Sequence, residues 1–289
     1  MNFTPQATSD GSYTFFSPEF EETFHSLRGA REEAQEKFII PCALADKAQQ
    51  QSHLTVLDIC YGLGYNTAAA LETIWKWNPR CHIDLIALES DEKVLQATIS
   101  HNLLKEWSSP IPELLTTLAT RHDCRNSDFN AKLLIGDARQ TIQHLMQQGF
   151  IADAIFLDPF SPPHCPQLWT VEFLGLVSQC LHPQGKLATY SCAAAVRTAF
   201  SLAGLHYTST MGMNRRSTIA SWQELPLPLS DLEKEHQQTR AAIPYRDPNL
   251  QDSAEIILQR RQQEQLSSNL ESTSQWRRRW RHKQLNQDS

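Results

Sequence analysis

The sequence predicts an α/β fold: a Rossmann-like sheet of seven strands with an N-terminal extension and a polar C-terminal tail. Three observations predict it. First, Leu54 to Thr67 runs from a short apolar, partly β-branched segment through Asp58 to two glycines, Gly62 and Gly64, and into an Ala-rich helix over 67–75. This is the pattern of strand, tight turn and helix N-terminus. Second, three later apolar runs each deliver an acid at or near their end: Glu89, Asp137 and Asp158. Third, a fifth such run over 185–191 is followed by a helix over 193–203 and a closing pair of strands over 205–211 and 217–222. Five strand–helix units and that pair make seven strands.

Composition bounds the rest. The chain has 289 residues, 40% hydrophobic and 20% charged, enough for one core domain with appendages. Its net charge of −6 does not advertise nucleic-acid binding, so any RNA contact must be a local patch. Seven cysteines without a Cys-x-x-Cys argue against a disulfide framework and a structural zinc site. No metal is expected, and the cysteine usage fits a reducing cytoplasm. No leader or membrane-spanning run is visible, so the expectation is a cytoplasmic protein with no membrane partner.

In order, residues 1–50 form the extension. The first ten are polar and read as loose. Asp10 to Ser17 is a turn signal followed by an aromatic, β-prone run. Residues 31–48 read as helical, with Pro41 kinking or dividing the helix. The extension either caps the sheet or covers a ligand mouth, with His25 and Glu33 near the ligand.

The core spans 51–222. Its glycine turn permits positive φ and close approach of a ligand to the backbone. The new helix offers unpaired N–H groups there. Such a turn cradles a nucleotide-like ligand at the carboxyl end of a parallel strand. Thr67 stands where a dinucleotide fingerprint wants its third glycine, which counts against NAD. Asp58, four residues before Gly62, resembles the first motif of S-adenosylmethionine (SAM)-dependent methyltransferases. There the acid and the glycine turn surround the methionine end of the cofactor.

The second strand, 81–89, ends at Glu89, placed to accept from both ribose hydroxyls of an adenosine cofactor; Asp91 reads as a helix N-cap. Residues 101–130 are an insertion with a short helix and a hairpin. The third strand, 132–138, brings Asp137. It either accepts from an adenine amino group, with the Ala138 N–H facing the ring, or caps the helix after it. The fourth strand, 153–158, ends in Asp158-Pro159-Phe160-Ser161-Pro-Pro. Asp-Pro-Phe resembles the Asp/Asn-Pro-Pro-aromatic motif of methyltransferases acting on exocyclic amines; the alternative is a stiff connecting loop. Arg215 and Arg216, between the last two strands, face either RNA phosphate or solvent.

Residues 223–289 read as a linker and a basic tail, disordered or helical, ending in Trp276-Arg-Arg-Arg-Trp280-Arg-His-Lys283. Basic residues interleaved with tryptophans suit charge neutralisation and base stacking. A mobile solvated tail is the alternative.

The run from Asp10 to about Ser221 is similar to the methyltransferase half of the bifunctional tRNA 5-methylaminomethyl-2-thiouridine biosynthesis family, the MnmC-type enzymes. The residues carrying it are Asp10-Gly-Ser-x-Thr14, His25-Ser26 with Gly29-Ala30 and Glu33, Gly62-Leu-Gly-Tyr-Asn66-Thr67, and Glu89. Leu134-Ile-Gly-Asp-Ala-Arg139, Phe156-Leu-Asp-Pro-Phe-Ser-Pro162, Pro166-Gln-Leu-Trp-Thr170 and Thr189-Tyr-Ser191 with Val196-Arg197 continue it. The resemblance implies a class I SAM-dependent methyltransferase fold. It also implies N-methylation of an aminomethyl group on a tRNA wobble uridine, with SAM as donor and a modified anticodon loop as partner. Asp58, Gly62, Gly64, Asn66, Glu89, Asp137 and Ala138 then fall to the cofactor, Asp158 to catalysis, and Pro159, Phe160 and His25 to the substrate. The family's flavin oxidase has no second glycine fingerprint here, so coupling to enzymes that make the aminomethyl intermediate is expected. Pro159 departs from the family in detail, since Gly more often follows the motif's Asp. Two other classes stay open: a SAM-family transferase acting on a small amine, and a non-catalytic RNA-binding protein on the same fold. Activity on polyamines without RNA would mark the first, and failure to bind SAM the second.

Overall fold

The computed structural model describes residues 3–210 and 216–285. Two antiparallel hairpins open the chain, β1 (Gln6–Ala7) with β2 (Tyr13–Thr14) and β3 (Phe16–Ser17) with β4 (Glu22–Thr23). The segment before Asp10, expected to be loose, is thus partly paired. Helix α1 (Ala30–Ala34) runs into a π-helical turn, Gln35–Ile39, and α2 (Leu44–Gln50) follows. The break between them holds Pro41, which lacks an N–H, and Ala43 at φ 54°.

The core alternates strand and helix. It comprises β5 (His53–Ile59), α3 (Tyr65–Trp77), β6 (His82–Glu89), α4 (Glu92–Ser100), α5 (Ile111–Arg121), β7 (Asp123–Arg125), β8 (Phe129–Ile135) and α6 (Ala138–Gln147). Then come β9 (Ala152–Leu157), α7 (Val171–Gln179), β10 (Leu181–Thr189), α8 (Ala194–Leu202), β11 (His206–Ser209) and β12 (Thr218–Ser221). The sheet has eight strands in the order β11-β12-β10-β9-β5-β6-β8-β7. The strand beyond the expected seven is β7, three residues that pair antiparallel with β8 as one arm of the insertion's hairpin. The five inner strands run parallel, and β12 is antiparallel to both β10 and β11.

Both faces of the sheet are covered, so its strands read as nearly continuous apolar runs. Along β5, Leu54 and Val56 join the layer built on Phe15, Phe38 and Tyr65, whereas Leu57 and Ile59 join the layer of Leu157, Trp169 and Phe200. From β5 the chain moves outward to β6 and β8, then returns to lay β9 on the other side of β5. That reversal opens a crevice at the carboxyl ends of β5 and β9, where ligands bind in open α/β sheets.

The C-terminal segment is helical and docked. It holds α9 (Asp231–His236), α10 (Ala254–Ser267) and α11 (Thr273–Leu285). Tyr245 and Ile257 are buried against the second layer, and the wholly buried Asp247 pairs with Arg139 at 2.9 Å. A polar composition concealed these few anchors. Arg215 lies outside the described residues; Arg216 pairs with Glu233 at 3.2 Å. None of the seven cysteines forms a disulfide. No helix among the described residues is long and apolar enough to cross a membrane.

Candidate functional site

The glycine turn leaves β5 through Cys60 (φ 67°), Gly62 (φ 55°) and Gly64 (φ 80°). Gly64 caps α3, and a Cβ there would lie 2.5 Å from the Tyr61 hydroxyl, so backbone shape and crowding both require glycine. Asp58 lies wholly buried at the end of the strand. Its Oδ2 accepts from the Thr67 hydroxyl at 2.7 Å, tying β5 to the first turn of α3. Thr67, which breaks the dinucleotide pattern, therefore has a structural task. Burial pushes the Asp58 carboxyl up to about 7, helped by Glu89 and opposed by Thr67. Asp58 braces the turn and is not among the residues that line the cavity described next.

A cavity of about 430 Å³ opens at the carboxyl edge of the sheet. Gly62, Glu89, Ser90 and Asp91 form one wall, and Asp158, Pro159, Phe160, Ser161 and Tyr190 another. The N-terminal segment covers both with Glu19, Phe20, Glu22, Phe24, His25, Glu33 and Lys37. Of the two sequence readings of the extension, the cover over a ligand mouth matches this placement. Six carboxyl side chains and one lysine line the space, and that lysine is already paired with Glu33 at 2.5 Å. Such a cavity attracts cations and repels anions.

Glu89 is buried at the tip of β6. Its Oε2 accepts from the Gly62 N–H at 2.8 Å, and its Oε1 from the Ser90 and Asp91 N–H groups at 2.7 and 3.0 Å. Burial raises its pKa, though these amides oppose the shift. The backbone thus aims the carboxylate into the cavity; two amides occupy Oε1, and Oε2, with one, keeps acceptor capacity. Asp91 caps α4 by accepting from Lys93 N–H at 2.9 Å. Asp137 does the same for α6, accepting from Arg139 N–H at 2.9 Å and from its guanidinium at 2.7 Å. Asp137 thus fills the capping role, one of the two left open by the sequence. Neither Asp137 nor Ala138 lines the cavity.

Asp158 follows β9, and its N–H donates to the Ile59 carbonyl at 3.1 Å, stitching the loop to β5. Asn66, assigned to the cofactor by resemblance, instead donates from Nδ2 to Asp158 Oδ2 at 2.8 Å. Burial first, then the nearby Glu33, push the Asp158 carboxyl up to about 8 against the pull of Asn66. Glu33 behaves oppositely: burial opposes ionisation, but Lys37 and the Ser26 N–H hold it below the usual range.

His25 packs its ring 5.1 Å from Tyr65, and its backbone N–H donates to Thr14 Oγ1 at 2.9 Å. Burial pushes its pKa down to about 4, so it stays neutral at pH 7 despite Glu33 and Asp10. Its buried Nδ1 has no hydrogen-bond partner. Phe160 stacks on Phe20 at 4.3 Å and meets Phe24 edge-on at 5.0 Å. The loop is also stiff: Trp169 donates to the Phe160 carbonyl at 2.8 Å and Tyr190 to the Pro159 carbonyl at 2.9 Å. The stiff-loop reading of Asp-Pro-Phe matches these bonds.

Sequence reasoning missed Glu19, Phe20, Glu22, Lys37 and Tyr190. The acid–aromatic run 19–24 was the available signal for the first three. A separate His53, His82 and Asp84 group sits at the amino ends of β5 and β6, far along the strands from the cavity. Asp84 there already accepts from His53 and Asn130, each at 2.7 Å.

Comparison with known proteins extends this geometry. The model of an S-adenosyl-L-methionine-dependent methyltransferase family matches residues 96–224. The crystal structure of MNMC2 from Aquifex aeolicus superposes with a TM-score of 0.81 at 30% identity, covering 92% of this chain and 86% of that one. An uncharacterized protein of Methanocaldococcus jannaschii, MJ0670, is 30% identical over 269 residues, 89% of this chain and 70% of its own length. The tRNA 5-methylaminomethyl-2-thiouridine biosynthesis bifunctional protein MnmC of Acidovorax sp. is 27% identical over 215 residues. The aligned region covers 69% of this chain but only 32% of that protein.

Proposed function

Because the chain belongs to the MnmC2-type family of SAM-dependent methyltransferases, we propose that it methylates the amine of a 5-aminomethyl or 5-aminomethyl-2-thio group on a tRNA wobble uridine. The observation that carries this reading is Asp158, a buried carboxyl raised to about 8 in an acidic, aromatic-walled cavity.

The site suits the donor. Glu89 presents acceptors to a ribose, Gly62 leaves room at the backbone, and the acidic walls favour a cationic ligand. When bound, SAM supplies an electrophilic methyl group on a positively charged sulfur. The residues do the rest. An alkylammonium has no lone pair, so its proton must leave first. In a desolvated pocket an ammonium–carboxylate pair is costly, and moving the proton to Asp158 yields a neutral amine beside a neutral acid. A carboxyl near 8 is far better matched to that proton than one near 4. Asn66 fixes Asp158 in place, as positioning requires. Phe160 and Tyr190 offer walls for a flat base. Neutral His25 adds no charge against the donor. The amine must arrive bare, so an enzyme that unmasks it is the proposed functional neighbour, and the cytoplasm the proposed setting.

The test is methyl incorporation from labelled SAM into tRNA carrying 5-aminomethyluridine, with unmodified tRNA, carboxymethylaminomethyl tRNA and polyamines alongside. Transfer to the aminomethyl tRNA alone is expected. Transfer to polyamines without RNA would replace tRNA as the substrate.

A further inference from the structure

Helix α11 has a polarity that the methyl-transfer site does not explain. Its thirteen residues include Arg277, Arg278, Arg279, Arg281 and Lys283 and no acid. The rest of the chain is strongly acidic by comparison, since the whole carries a net charge of −6.

The cations divide by face. Arg279 and Lys283, one turn apart, reach Glu235 of α9 at 2.9 and 3.0 Å, and Arg279 also reaches Glu271 at 3.0 Å. Trp276 is buried and stacks on His236 at 4.8 Å, with Trp280 against it at 6.4 Å. Positions 276, 279, 280 and 283 follow helical spacing, so they form one anchoring face. Arg277, Arg278 and Arg281 lie on the other side, spaced i, i+1 and i+4. All three are exposed, and none has an ion pair among the described residues. Within the folded chain these neighbouring charges only repel one another.

The helix is also linked to the catalytic edge. Glu233 of α9 pairs with Arg197 of α8 at 3.0 Å and with Arg216 at 3.2 Å. Arg216 leads into β12, whose Thr218 pairs with Thr189 at the carboxyl end of β10. That is the edge of the sheet on which the cavity opens.

We propose that the Arg277, Arg278 and Arg281 stripe docks the phosphodiester backbone of the RNA substrate. The inference rests on the tRNA reading above and names the surface that reading lacks. Guanidiniums held apart on a pinned helix match a row of phosphates. The sequence suggested base stacking by the tryptophans, but Trp276 is turned inward and serves as an anchor. With that apolar side chain buried, the exposed face is one for a polyanion in solution, not for insertion into a lipid surface.

The experiment uses the full chain and an R277Q/R278Q/R281Q variant, titrated with unmodified tRNA over a range of salt. Unmodified tRNA keeps the result independent of the acceptor chemistry. The variant is expected to bind at least about tenfold more weakly at low salt, with the salt slope smaller by about 2 to 3. Unchanged SAM affinity will show that the variant is folded. Wild-type affinity and slope in the variant would overturn the inference. So would tighter binding to anionic phosphatidylserine vesicles than to tRNA, lost in the same variant. If tRNA binding depends on the arginines but aminomethyl tRNA is not methylated, the acceptor assignment fails and the docking surface stands.

Discussion

The two ends of the chain flank one sheet and do opposite things. Among the described residues, eleven of the twenty-four that line the cavity lie within the first 37, including Glu19, Glu22, Glu33 and His25. Among the described residues, the C-terminal segment from residue 223 onward contributes none. It presents exposed arginines on α11 instead. Both ends are polar in sequence, so composition does not separate them. The difference shows charge sorted by task. Carboxylates gather at the cavity proposed to bring a cationic donor and an amine together, and guanidiniums without ion pairs among the described residues stand away from it, where they cannot repel the donor. A single net charge hides both.

Breaking the N-terminal side of this comparison should have the largest effect. Asp158→Asn is expected to lower methyl transfer by about 10²- to 10⁴-fold while leaving SAM affinity within a few-fold. Equal loss of both, measured by single-turnover rates and calorimetry, would move Asp158 to cofactor binding. On the C-terminal side, Ile257→Ala removes a wholly buried side chain that anchors α10 and should cost about 2–5 kcal/mol in denaturant unfolding. A loss below about 0.5 kcal/mol would mean that the segment is not docked in solution. Glu89→Gln weakens charge-assisted hydrogen bonds and should reduce SAM affinity by about tenfold or more. Unchanged affinity would remove Glu89 from the ribose role.

The smallest effect sharpens the electrostatic side. In the ligand-free protein Asp158 and Asp58 hold protons up to about 8 and about 7, whereas their unfolded values are near 3.8. Between about pH 4 and 8 the folded state therefore binds more protons than the unfolded state, so stability falls as pH rises. His25, lowered to about 4 from 6.5, acts the other way: its contribution is present above pH 6.5 and is lost as pH falls toward 4. Denaturation curves at several pH values should show a shallower alkaline fall in Asp158→Asn. An identical fall would place the burden on other groups.

What could be read from the sequence was local. The strand–turn–helix at Gly62 and Gly64, the acid tips Glu89 and Asp158, and the division of the N-terminal helix at Pro41 each depend on neighbours within a few residues. What escaped depends on distant partners. Asn66 and Asp158 are 92 positions apart, yet their hydrogen bond decides what Asn66 does. Asp137 is held by Arg139, which also reaches Asp247 108 positions away. Glu22 became a cavity residue because Ser161 N–H donates to it across 139 positions, at 2.9 Å. The C-terminal segment read as solvated because Tyr245 and Ile257 are isolated apolar residues in a polar stretch. β7 escaped because three residues carry too little alternation to reveal a strand.

The most direct test of the central claim, that buried Asp158 takes the amine's proton, is the pH dependence of single-turnover methyl transfer to aminomethyl tRNA. The wild-type rate should rise with pH and level off below about 8, because the cationic donor lowers the carboxyl from the value of about 8 set by the protein alone. Asp158→Asn should be slower throughout and lack that plateau, its rate climbing toward the amine's own ionisation near about pH 10. The same plateau at the same rate in both proteins would contradict the account.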